Sequence, residues 1–449
     1  MKKVVSLLLA GVLLLSLAAC AAQPAANTAN EQNASAAETE EKTSEVKAER
    51  EEAREVAESA GSDVITTDAA ELRVFVNSGS QDLDALAEIW STTYQQAFPN
   101  FDVEFDTAGD QYAEKMRVYC SSGDMPDIYN TFDNLAIDLG YAADLEPYVD
   151  QFGWKDKLKT EDALIRYSDG KLYSLQDGRD CYYLPTIWYN TEIFEAAGVQ
   201  VPTTYAEFLD VCEALKNYGV IPVSMGSWNP IELSLQMFCA TTNVTALNEV
   251  ISGERSWKDP DVVNGIQKYQ DAIKAGYFPE NVATIDWDAA CELFNSGAAA
   301  MWLEPTWGYN SITLDQSKLD FFMLPTDSGK QEIVKWGSFA GGLSMSTTTK
   351  DPELTWQFLQ WMVEKSAVYF ESQGNIVAVD TGLEQAALPA LLEKNAQIVE
   401  DPSWYKVSTI CPLLGTEAQA EWTTQIGKLN TMQIDAEAFT DAMDAIWAK

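Results

Sequence analysis

The chain has 449 residues, which is long enough for two lobes, and 46% of them are apolar, as is typical of a soluble globular protein. Sixty-nine acidic residues against 29 basic ones give a net charge of −40, which disfavours binding to nucleic acid, to anionic lipid headgroups and to anionic ligands. The sequence contains no histidine, so Ser-His-Asp and Cys-His catalysis are excluded and the commonest transition-metal ligand is missing.

The first twenty residues have the pattern of a secretory signal that ends in a lipid-attachment site. Lys2 and Lys3 precede an uncharged run rich in Leu and Val, from Val4 to Ala19, which is shorter than the roughly 20 residues of a membrane-spanning helix. The run ends in Leu-Ala-Ala-Cys, which resembles the lipobox of bacterial lipoproteins. We therefore predict a signal peptide over residues 1–19 and acylation of Cys20, which would anchor the mature protein to the outer face of the cell membrane.

Residues 21–70 differ in composition from the rest of the chain. Ala, Glu, Ser, Thr, Asn and Gln dominate this stretch, aromatic residues are missing from it, and acidic residues outnumber basic ones by twelve to four. Such a segment cannot bury enough apolar surface to form a core. We therefore predict a flexible acidic tether over residues 20–70, beginning at the lipidated cysteine, although residues 41–60 could form an isolated charged helix.

The first folded region is predicted to begin at Glu71 with alternating strands and helices. Residues 72–76 have the pattern of a strand, a helical period follows from Leu83 to Tyr94, and residues 103–105 alternate as a second strand. A helix over 110–119 and a third strand from 127 continue the pattern. This alternation predicts a parallel sheet covered by helices on both faces, with its binding site at the carboxyl ends of the strands.

A second region of strands and helices is predicted from about Tyr183. Thr204 and Glu207 have the spacing of a capping box, and the helix that they begin is predicted to end at Gly219. Residues 220–223 form a short predicted strand, which leads into Gly-Ser-Trp-Asn-Pro at 226–230.

Six cysteines follow Cys20 and are widely scattered. No two of them form a Cys-x-x-Cys pair, so zinc binding and thioredoxin-like chemistry have no support. Three disulfides would be possible outside the cell, but several of these residues occupy apolar positions of predicted helices. We predict that the six are mostly free and buried: Cys120, Cys181, Cys212, Cys239, Cys291 and Cys411.

Four short motifs connect the two regions to a known family. Ser-Gly-Asp-Met-Pro-Asp at 122–127 resembles an S-G-D-x-P-D turn, and Asp-Gly-Lys-Leu-Tyr at 169–173 resembles a D-G-K-x-Y element. Residues 188–208 resemble Y-N-K…F…A-G…P-x-T-x-x-E-F, and residues 294–301 resemble F-x-x-G-x-A-A-M. In this order, the motifs resemble those of family 1 extracellular solute-binding proteins, the group that includes maltose-binding protein. Residues 176–181 depart from the pattern, because they lack the usual proline after the second motif.

The resemblance implies an α/β, two-lobed periplasmic-binding-protein fold of type II, with a ligand cleft that closes on binding. Each lobe is expected to contain a mostly parallel sheet flanked by helices, and hinge strands are expected to join the lobes. The predicted boundaries are 71–181 with 323–365 for the first lobe and 182–322 with 366–449 for the second. The resemblance also implies docking to the permease subunits of an ATP-driven (ABC) importer and no catalysis. We expect a monomer without cofactor or metal.

A carbohydrate is the ligand that the tryptophan content favours. Sugars present apolar C–H faces and a rim of hydroxyl groups, so a receptor needs aromatic platforms and side chains that each make several hydrogen bonds. Most of the 14 tryptophans are expected in the core, including Trp302. Three lie in predicted loops beside the motifs and are predicted platforms: Trp228, Trp307 and Trp336. The resemblance matches Trp307 to the cleft tryptophan that follows the A-M motif in maltose-binding protein.

Weaker ligand candidates follow the predicted strands, lie near the lobe crossing or lie near the C-terminus. Each could instead serve as a turn, cap or core residue. These candidates are Asn77, Asp110, Asn130, Asp133, Asp180, Tyr183 and Trp422.

Other classes of protein remain open on the sequence. A surface glycoside hydrolase would need two carboxylates about 5–9.5 Å apart across the sugar, and acidic residues are abundant. A receptor that reports sugar to a sensor kinase, or an adhesin, would bind without transport. Within the importer class, peptides, polyols or metals could replace sugar; the lack of histidine disfavours metals.

Overall fold

The computed structural model of the chain describes residues 47–61, 63–78, 81–109, 111–131, 134–159, 164, 167, 169–176, 182–327, 336–337, 342–375, 377–383, 389–401, 409–410 and 414–447. The predicted signal peptide, Cys20 and the first part of the predicted tether lie outside the described residues, as do Cys181 and Cys411.

Helices and strands follow one another along the whole described chain. In chain order they are α1 (47–59), β1 (Ala70–Asn77), α2 (Gln81–Ala97), β2 (Phe101–Ala108), α3 (Tyr112–Ser122), β3 (Ile128–Thr131), α4 (Leu135–Asp138), α5 (Glu146–Gln151), β4 (Tyr182–Tyr183), β5 (Thr186–Asn190), α6 (Thr191–Ala197), α7 (Tyr205–Tyr218), β6 (Ile221–Ser224), α8 (Asn229–Glu232), α9 (Ser234–Ala240), α10 (Ala246–Ile251), α11 (Pro260–Lys274), α12 (Trp287–Asn295), β7 (Ala299–Leu303), β8 (Leu319–Met323), β9 (Trp336–Gly337), β10 (Gly342–Met345), α13 (Pro352–Ser372), α14 (Ala390–Glu400), α15 (Thr416–Asn430) and α16 (Ala436–Trp447). Short 3-10 turns lie at Trp154–Lys157, Thr306–Ser311 and Gln316–Lys318.

Two four-stranded sheets form the centres of the two lobes. The first has the strand order β10-β3-β1-β2, and the second has the order β6-β7-β5-β8. A separate ribbon of β4 and β9 lies where the chain crosses between the lobes. The predicted two-lobed α/β fold is therefore confirmed.

The local predictions for the first elements of each lobe are also confirmed. The strand, helix and strand predicted after Glu71 are β1, α2 and β2, and β1 pairs with β2 in parallel along its whole length. In the second lobe, Thr204 caps α7 by accepting a hydrogen bond from the backbone N–H of Glu207 at 3.2 Å. Gly219 ends that helix in the left-handed conformation, which favours glycine because it has no Cβ.

The prediction of a mostly parallel sheet holds for the first lobe and is wrong for the second. In the first sheet β1 pairs in parallel with β2 and β3, and β10 is an antiparallel edge. In the second sheet β6 and β7 are parallel, but β5 is antiparallel to both β7 and β8. The reason is the direction of the chain, because β5 leads away from the ribbon whereas β7 and β8 run back toward it.

Each lobe has its own apolar core, and the residues that pack in these cores put both lobe boundaries later in the chain than predicted. Helix α13 is a single helix of 21 residues whose apolar side chains pack in the first core, and Val377 and Val379 follow it there. The return to the second lobe therefore comes after 379 and not at 366, since one continuous helix cannot be divided between two lobes. At the other crossing Asp327 pairs with Lys268 of α11 at 2.6 Å, so the second lobe extends past 322.

Helix α1 corrects the prediction of a flexible tether from residue 47 onward. Ala53 and Ala57 lie one turn apart on this helix and are buried in the first core. On another side of the helix Arg54 donates hydrogen bonds to both carboxylate oxygens of Glu88, at 2.7 and 2.9 Å. The composition of the segment is polar on average, but one narrow face of small apolar residues is enough to attach the helix to α2 and α13.

The C-terminal end of α1 is held by a lysine of α13. The buried ammonium of Lys365 donates to the carbonyl oxygens of Ala57 at 2.7 Å, Glu58 at 3.1 Å and Ala60. A helix end leaves such carbonyls without intrahelical partners and carries a partial negative charge, so an ammonium there is favourable. Burial lowers the pKa of Lys365 to about 8, so the charged form that makes these bonds predominates below that pH.

The N-terminal end of α1 reaches the second lobe. The guanidinium of Arg50 lies 3.4 Å from the carboxylate of Asp82 in α2. Its Nη2 also donates to the carbonyl oxygen of Asn310, in the 3-10 turn after β7, at 3.4 Å. Helix α1 is therefore bound to the first lobe along its length and touches the second lobe at one end.

Replacing Lys365 with Met should lower the free energy of unfolding by about 1–3 kcal/mol, because buried carbonyl oxygens lose their donor. Amide hydrogen exchange over residues 47–61 should also become faster than in the unchanged protein. Urea denaturation and hydrogen-exchange mass spectrometry measure the two effects. Lys350→Met is the control, since this side chain is 80% exposed and should change stability by less than about 0.5 kcal/mol. Equal stabilities for both variants would contradict the prediction.

Candidate functional site

The carboxyl-terminal edges of the two sheets lie on either side of the ribbon. In the first sheet the parallel strands β1, β2 and β3 end at Asn77, Ala108 and Thr131. In the second sheet β6, β7 and β8 run in one direction and end at Ser224, Leu303 and Met323. Strand β4 leads into β5, and β9 precedes β10, so both edges adjoin the crossing. The space between these two edges, here called the cleft, is the candidate site, because open α/β sheets bind ligands beyond the carboxyl ends of their strands.

The ribbon at the crossing brings together the backbones of two predicted site residues. Tyr183 of β4 pairs with Trp336 of β9, and Tyr182 pairs with Gly337. The side chains of Tyr183 and Trp336 lie outside the part of the chain that the structure describes, so their ligand contacts stay predictions.

The first wall of the cleft, formed by the ends of β1, β2 and β3, is held in place by Asn130. The Oδ1 atom of Asn130 accepts a hydrogen bond from the backbone N–H of Asn77 at 2.7 Å. Its carbonyl oxygen accepts one from the hydroxyl of Tyr112 at 2.8 Å, and the ring of Tyr112 stacks on Phe75 at 4.4 Å. Asn130 is 3% exposed, so in this arrangement it fixes the ends of β1 and β3, and Asn77 is the half-buried candidate at the same edge.

The second wall, formed by the ends of β6, β7 and β8 together with the start of α12, carries two tryptophans. Trp228 follows β6, and the backbone N–H of Ser227 beside it donates to the carbonyl of Ile285 at 2.8 Å, which holds the loop after β6 against the start of α12. Asp286 caps that helix by accepting from the N–H of Ala289 at 2.7 Å, so the helix begins at Trp287. Both tryptophans are half-buried.

A glycine lets the two tryptophan segments approach each other. A Cβ atom on Gly226 would lie 3.0 Å from Nε1 of Trp228 and 3.5 Å from the Cα of Trp287. A side chain at this position would require the indole of Trp228 to shift by a few tenths of an ångström. A glycine at 226 therefore lets the indole lie close to the loop backbone.

A buried carboxylate lies beneath these tryptophans, at the end of β7. Oε1 of Glu304 accepts a hydrogen bond from Nε1 of Trp287 at 2.9 Å, and Oε2 accepts one from Nδ2 of Asn229 at 3.3 Å. The amide of Asn229 also donates to the carbonyl oxygen of Leu303 at 3.0 Å. Thr186 of β5 donates its hydroxyl to the carbonyl of Glu304 at 2.5 Å. These bonds join the end of β7 to β5 and to both tryptophan segments.

For several predicted site residues, either the whole residue or its side chain lies outside the part of the chain that the structure describes. Asp110, Asp133 and Asp180 lie outside the described residues. The backbone of Trp307 lies in the 3-10 turn after β7, three residues beyond Glu304, but its side chain is not described. The roles expected for these four residues stay predictions.

The prediction of Trp422 as a weaker ligand-binding candidate is wrong. Trp422 is 1% exposed in the core of the second lobe, where its ring packs against Trp257 and Phe439. Its indole N–H donates to the carbonyl of Ile231 at 2.8 Å. The helical period of α15 turns this side chain inward. The prediction that Trp302 is a core residue is confirmed, since it is fully buried in β7.

Sequence reasoning missed three residues of the second wall: Asn229, Trp287 and Glu304. A usable signal was present for one of them. Asp286 is a helix-cap residue, and the helix that it begins returns along β7 after a connection of three residues, 296–298. The first residue of such a helix must lie near the carboxyl end of the strand, which places Trp287 at the cleft.

The described residues include many acidic side chains and four cysteines. These contain no cluster of three or more Cys, Asp or Glu side chains that could hold a metal ion. Cys212, Cys239 and Cys291 are free and buried there, as predicted, and Cys120 is buried as well. Burial raises the pKa of the Cys291 thiol to about 12, so it stays protonated and is a poor nucleophile. No helix in the described part of the chain is long and apolar enough to cross a membrane.

A separate cavity of about 220 Å³ lies between α1 and residues 309–319. Glu49, Arg50 and Gln373 line one side of it, and Tyr309 and Asn310 belong to the other. Pockets for small molecules usually measure about 300–1,000 Å³, so this cavity is small for a ligand site. The cleft is the better candidate.

Comparisons with known proteins agree with this fold. A sequence model of a family described as bacterial extracellular solute-binding protein matches residues 77–369. An uncharacterised ABC transporter extracellular-binding protein of Pyrococcus horikoshii is 27% identical over 186 residues, which cover 36% of this chain and 42% of that protein. The chain thus matches less than half the length of this curated relative.

Two solved structures show the same fold over most of the chain. One comes from work on xylan utilisation by the thermophilic bacterium Caldanaerobius polysaccharolyticus; it covers 84% of this chain and all of its own, with a TM-score of 0.73 and 19% identity. The other is a chitin oligosaccharide binding protein, which covers 85% of this chain and 98% of its own, with a TM-score of 0.71 and 20% identity.

The contrasting burial of two tryptophans predicts contrasting effects on stability. Trp422→Ala should lower the free energy of unfolding by about 3–5 kcal/mol, because it empties a packed core site. Trp228→Ala should cost less than about 2 kcal/mol, because part of this side chain is already in contact with water. Urea denaturation of both variants beside the unchanged protein measures the difference. A cost for Trp228→Ala as large as that for Trp422→Ala would show that Trp228 is a core residue.

Proposed function

Because the chain belongs to the family of bacterial extracellular solute-binding proteins, we propose that it captures a carbohydrate, specifically an oligosaccharide, in the cleft and delivers it to an ABC importer. Membership places the protein outside the cytoplasm and makes it a binding protein and not an enzyme. The observation that carries the choice of ligand is the pair of half-buried tryptophans, Trp228 and Trp287, on the second wall of the cleft.

The chemistry of the second wall suits a sugar ring. An indole ring offers a flat apolar face to the C–H groups of a pyranose, and sugar-binding pockets combine such faces with a few fixed polar groups. Half-buried tryptophans keep part of the ring available, whereas Trp302 and Trp422 are closed off by the core. A platform at Trp307, three residues after Glu304, would extend this aromatic surface along the same edge.

The first wall supplies polar groups. Asn77 is half-buried at the end of β1, whereas Thr131 at the end of β3 is buried and its hydroxyl bonds to that of Ser344. The side-chain amide of Asn77 can both donate and accept hydrogen bonds, which matches the hydroxyl groups of a sugar. The net charge of −40 also fits a neutral ligand better than an acidic one.

The two structural neighbours support the proposal, because one comes from work on xylan utilisation and the other is a chitin oligosaccharide binding protein. The curated relative supports the transport role, since it is described as an ABC transporter binding protein. We extend these to this chain together with three further expectations: docking to permease subunits, a monomeric state, and membrane attachment through Cys20.

Titration with sugars tests the proposal. A series of neutral oligosaccharides, including xylan- and chitin-derived ones, should contain a ligand that raises the melting temperature and binds in calorimetric titration. A ligand at 100 times its dissociation constant should stabilise the protein by about 2.7 kcal/mol. Trp307→Ala should weaken that binding by about 1.5–4 kcal/mol, because an aromatic platform would be lost.

The controls separate a binding role from a folding role. Trp422→Ala should unfold more easily, while the molecules that stay folded bind with nearly unchanged affinity. If Trp307→Ala shows this same behaviour, Trp307 is a core residue and Trp228 and Trp287 are the platforms to test. If the unchanged protein binds none of the sugars but does bind peptides or polyols, the carbohydrate proposal is wrong.

Membrane attachment is tested through the predicted lipidation site. Cys20→Ser removes the thiol that would carry the lipid, so the variant should appear in the soluble secreted fraction and the unchanged protein in the membrane fraction. Fractionation with immunodetection measures this. Cys120→Ser is the control, because Cys120 is buried far along the chain and should not alter the location. A Cys20→Ser protein that is processed yet stays in the membrane would argue against the lipid anchor.

A further inference from the structure

We propose that Glu304 is a positioning residue for ligand binding, which holds the indole of Trp287 in the orientation that the cleft requires. The inference rests on the proposed function and adds to it a residue that acts through a tryptophan rather than by touching the sugar. It starts from the contrast in burial between the two side chains: Glu304 is 0% exposed, whereas Trp287 is half-buried at the cleft.

The hydrogen bond between them fixes the tryptophan ring. A tryptophan at the first position of a helix has two rotatable side-chain bonds and would otherwise sample several orientations. Nε1 of Trp287 donates to Oε1 of Glu304 at 2.9 Å, a normal length for a bond from an N–H to an oxygen. On its other side the indole meets Trp302 edge-on, at 5.6 Å between ring centres. Trp287 thus packs against the buried cluster that contains Trp302, while part of its side chain stays exposed.

The second oxygen of the carboxylate extends the effect to the other tryptophan segment. Oε2 of Glu304 accepts from Nδ2 of Asn229 at 3.3 Å, and Asn229 directly follows Trp228 in the chain. Asn229 is also fully buried. A single carboxylate thus connects the loop after β6 with the start of α12, and these two segments carry the aromatic residues of the second wall.

Space for the carboxylate is kept by a glycine. A Cβ atom on Gly308 would lie 2.6 Å from Cγ of Glu304, which is closer than real contacts allow, and 3.0 Å from the ring of Trp302. Gly308 is not in a left-handed conformation, so a glycine is needed here for space and not for backbone freedom. Substitution at 308 therefore gives a second way to displace Glu304, and it also presses on Trp302, whose ring contacts Trp287.

A purely structural role explains this arrangement less well. Burying a carboxylate costs solvation free energy, and well-packed apolar residues usually stabilise a core as much or more. A carboxyl oxygen does, however, orient an indole N–H more strictly than an apolar neighbour can, because hydrogen bonds are directional. The polar cluster bonds to Trp287 and to Asn229, which adjoins Trp228, so it connects both segments that carry half-buried tryptophans.

The test combines binding with a signal from the indole itself. Calorimetric titration with the sugar that the unchanged protein binds best is carried out on Trp287→Phe, Glu304→Gln, Glu304→Ala and Gly308→Ala, and on the double variant Trp287→Phe with Glu304→Ala. Protein labelled with ¹⁵N-tryptophan reports the indole N–H of Trp287, assigned through Trp287→Phe. Glu292→Gln is the matched control, because this glutamate is exposed on the same helix.

The expected pattern is coupling between the two residues. Trp287→Phe and Glu304→Ala should each weaken binding about tenfold or more, Gly308→Ala should weaken it similarly, and the double variant should be no weaker than the worse single variant. Glu304→Gln should weaken binding less, because its amide oxygen still accepts from the indole, and it should shift the Trp287 indole resonance. Glu292→Gln should change neither the affinity nor that resonance.

Three results would overturn the inference. If Glu304→Ala weakens binding by the same factor with and without Trp287, the two residues act independently. If the indole resonance of Trp287 is unchanged in Glu304→Gln, the hydrogen bond is not made. If the unchanged protein binds no sugar at all, the proposed function fails and the inference fails with it, whereas the first two results leave the proposed function intact.

Discussion

The pairing of β4 with β9 sets the position of everything that the cleft contains. Tyr182 pairs with Gly337 and Tyr183 with Trp336, so few backbone bonds join two lobes that each have their own core. A short ribbon between two independent cores can bend without disturbing either, which is what a hinge requires. Two residues separate β4 from β5, and the hydroxyl of Thr186 in β5 donates a hydrogen bond to the carbonyl of Glu304. The second wall of the cleft is therefore attached to the ribbon through hydrogen bonds and should move with it as one unit.

The cost of burying Glu304 explains why the second wall is built as it is. A buried carboxyl group loses its hydrogen bonds to water, and this cost is offset only when protein groups supply replacement hydrogen bonds. Trp287 and Asn229 supply such bonds to the two oxygens, and Gly308 leaves the space in which the side chain lies. Each of these residues constrains the others. Tryptophans that are only half-buried would have loose orientations on an apolar support, and this cluster supplies the rigid support that a selective binding surface needs.

Sequence patterns predicted the fold well because its signals are local. The apolar period of α2, the capping pair Thr204 and Glu207 and the order of the motifs depend on near neighbours in the chain, and all appear in the structure. The site was predicted less well, because its contacts join distant segments. Glu304 meets Asn229 across 75 positions, and no pattern within either segment indicates that contact. The prediction for Trp422 failed for a related reason. Its burial depends on how α15 packs against the rest of the lobe, which the sequence of α15 alone does not show.

Helix α1 shows most clearly how contacts with distant residues can order a segment that its composition predicts to be flexible. By composition residues 47–59 resemble the preceding tether, since acidic residues are frequent in both. What distinguishes them is that Ala53 and Ala57 meet the first core, and that Lys365, some 300 positions away, closes the end of the helix. Arg50 then reaches Asn310 in the turn that follows Glu304 and contains Trp307. A segment whose average composition is that of a solvated tether is thus an ordered part of the first lobe, and one end of it contacts the second lobe.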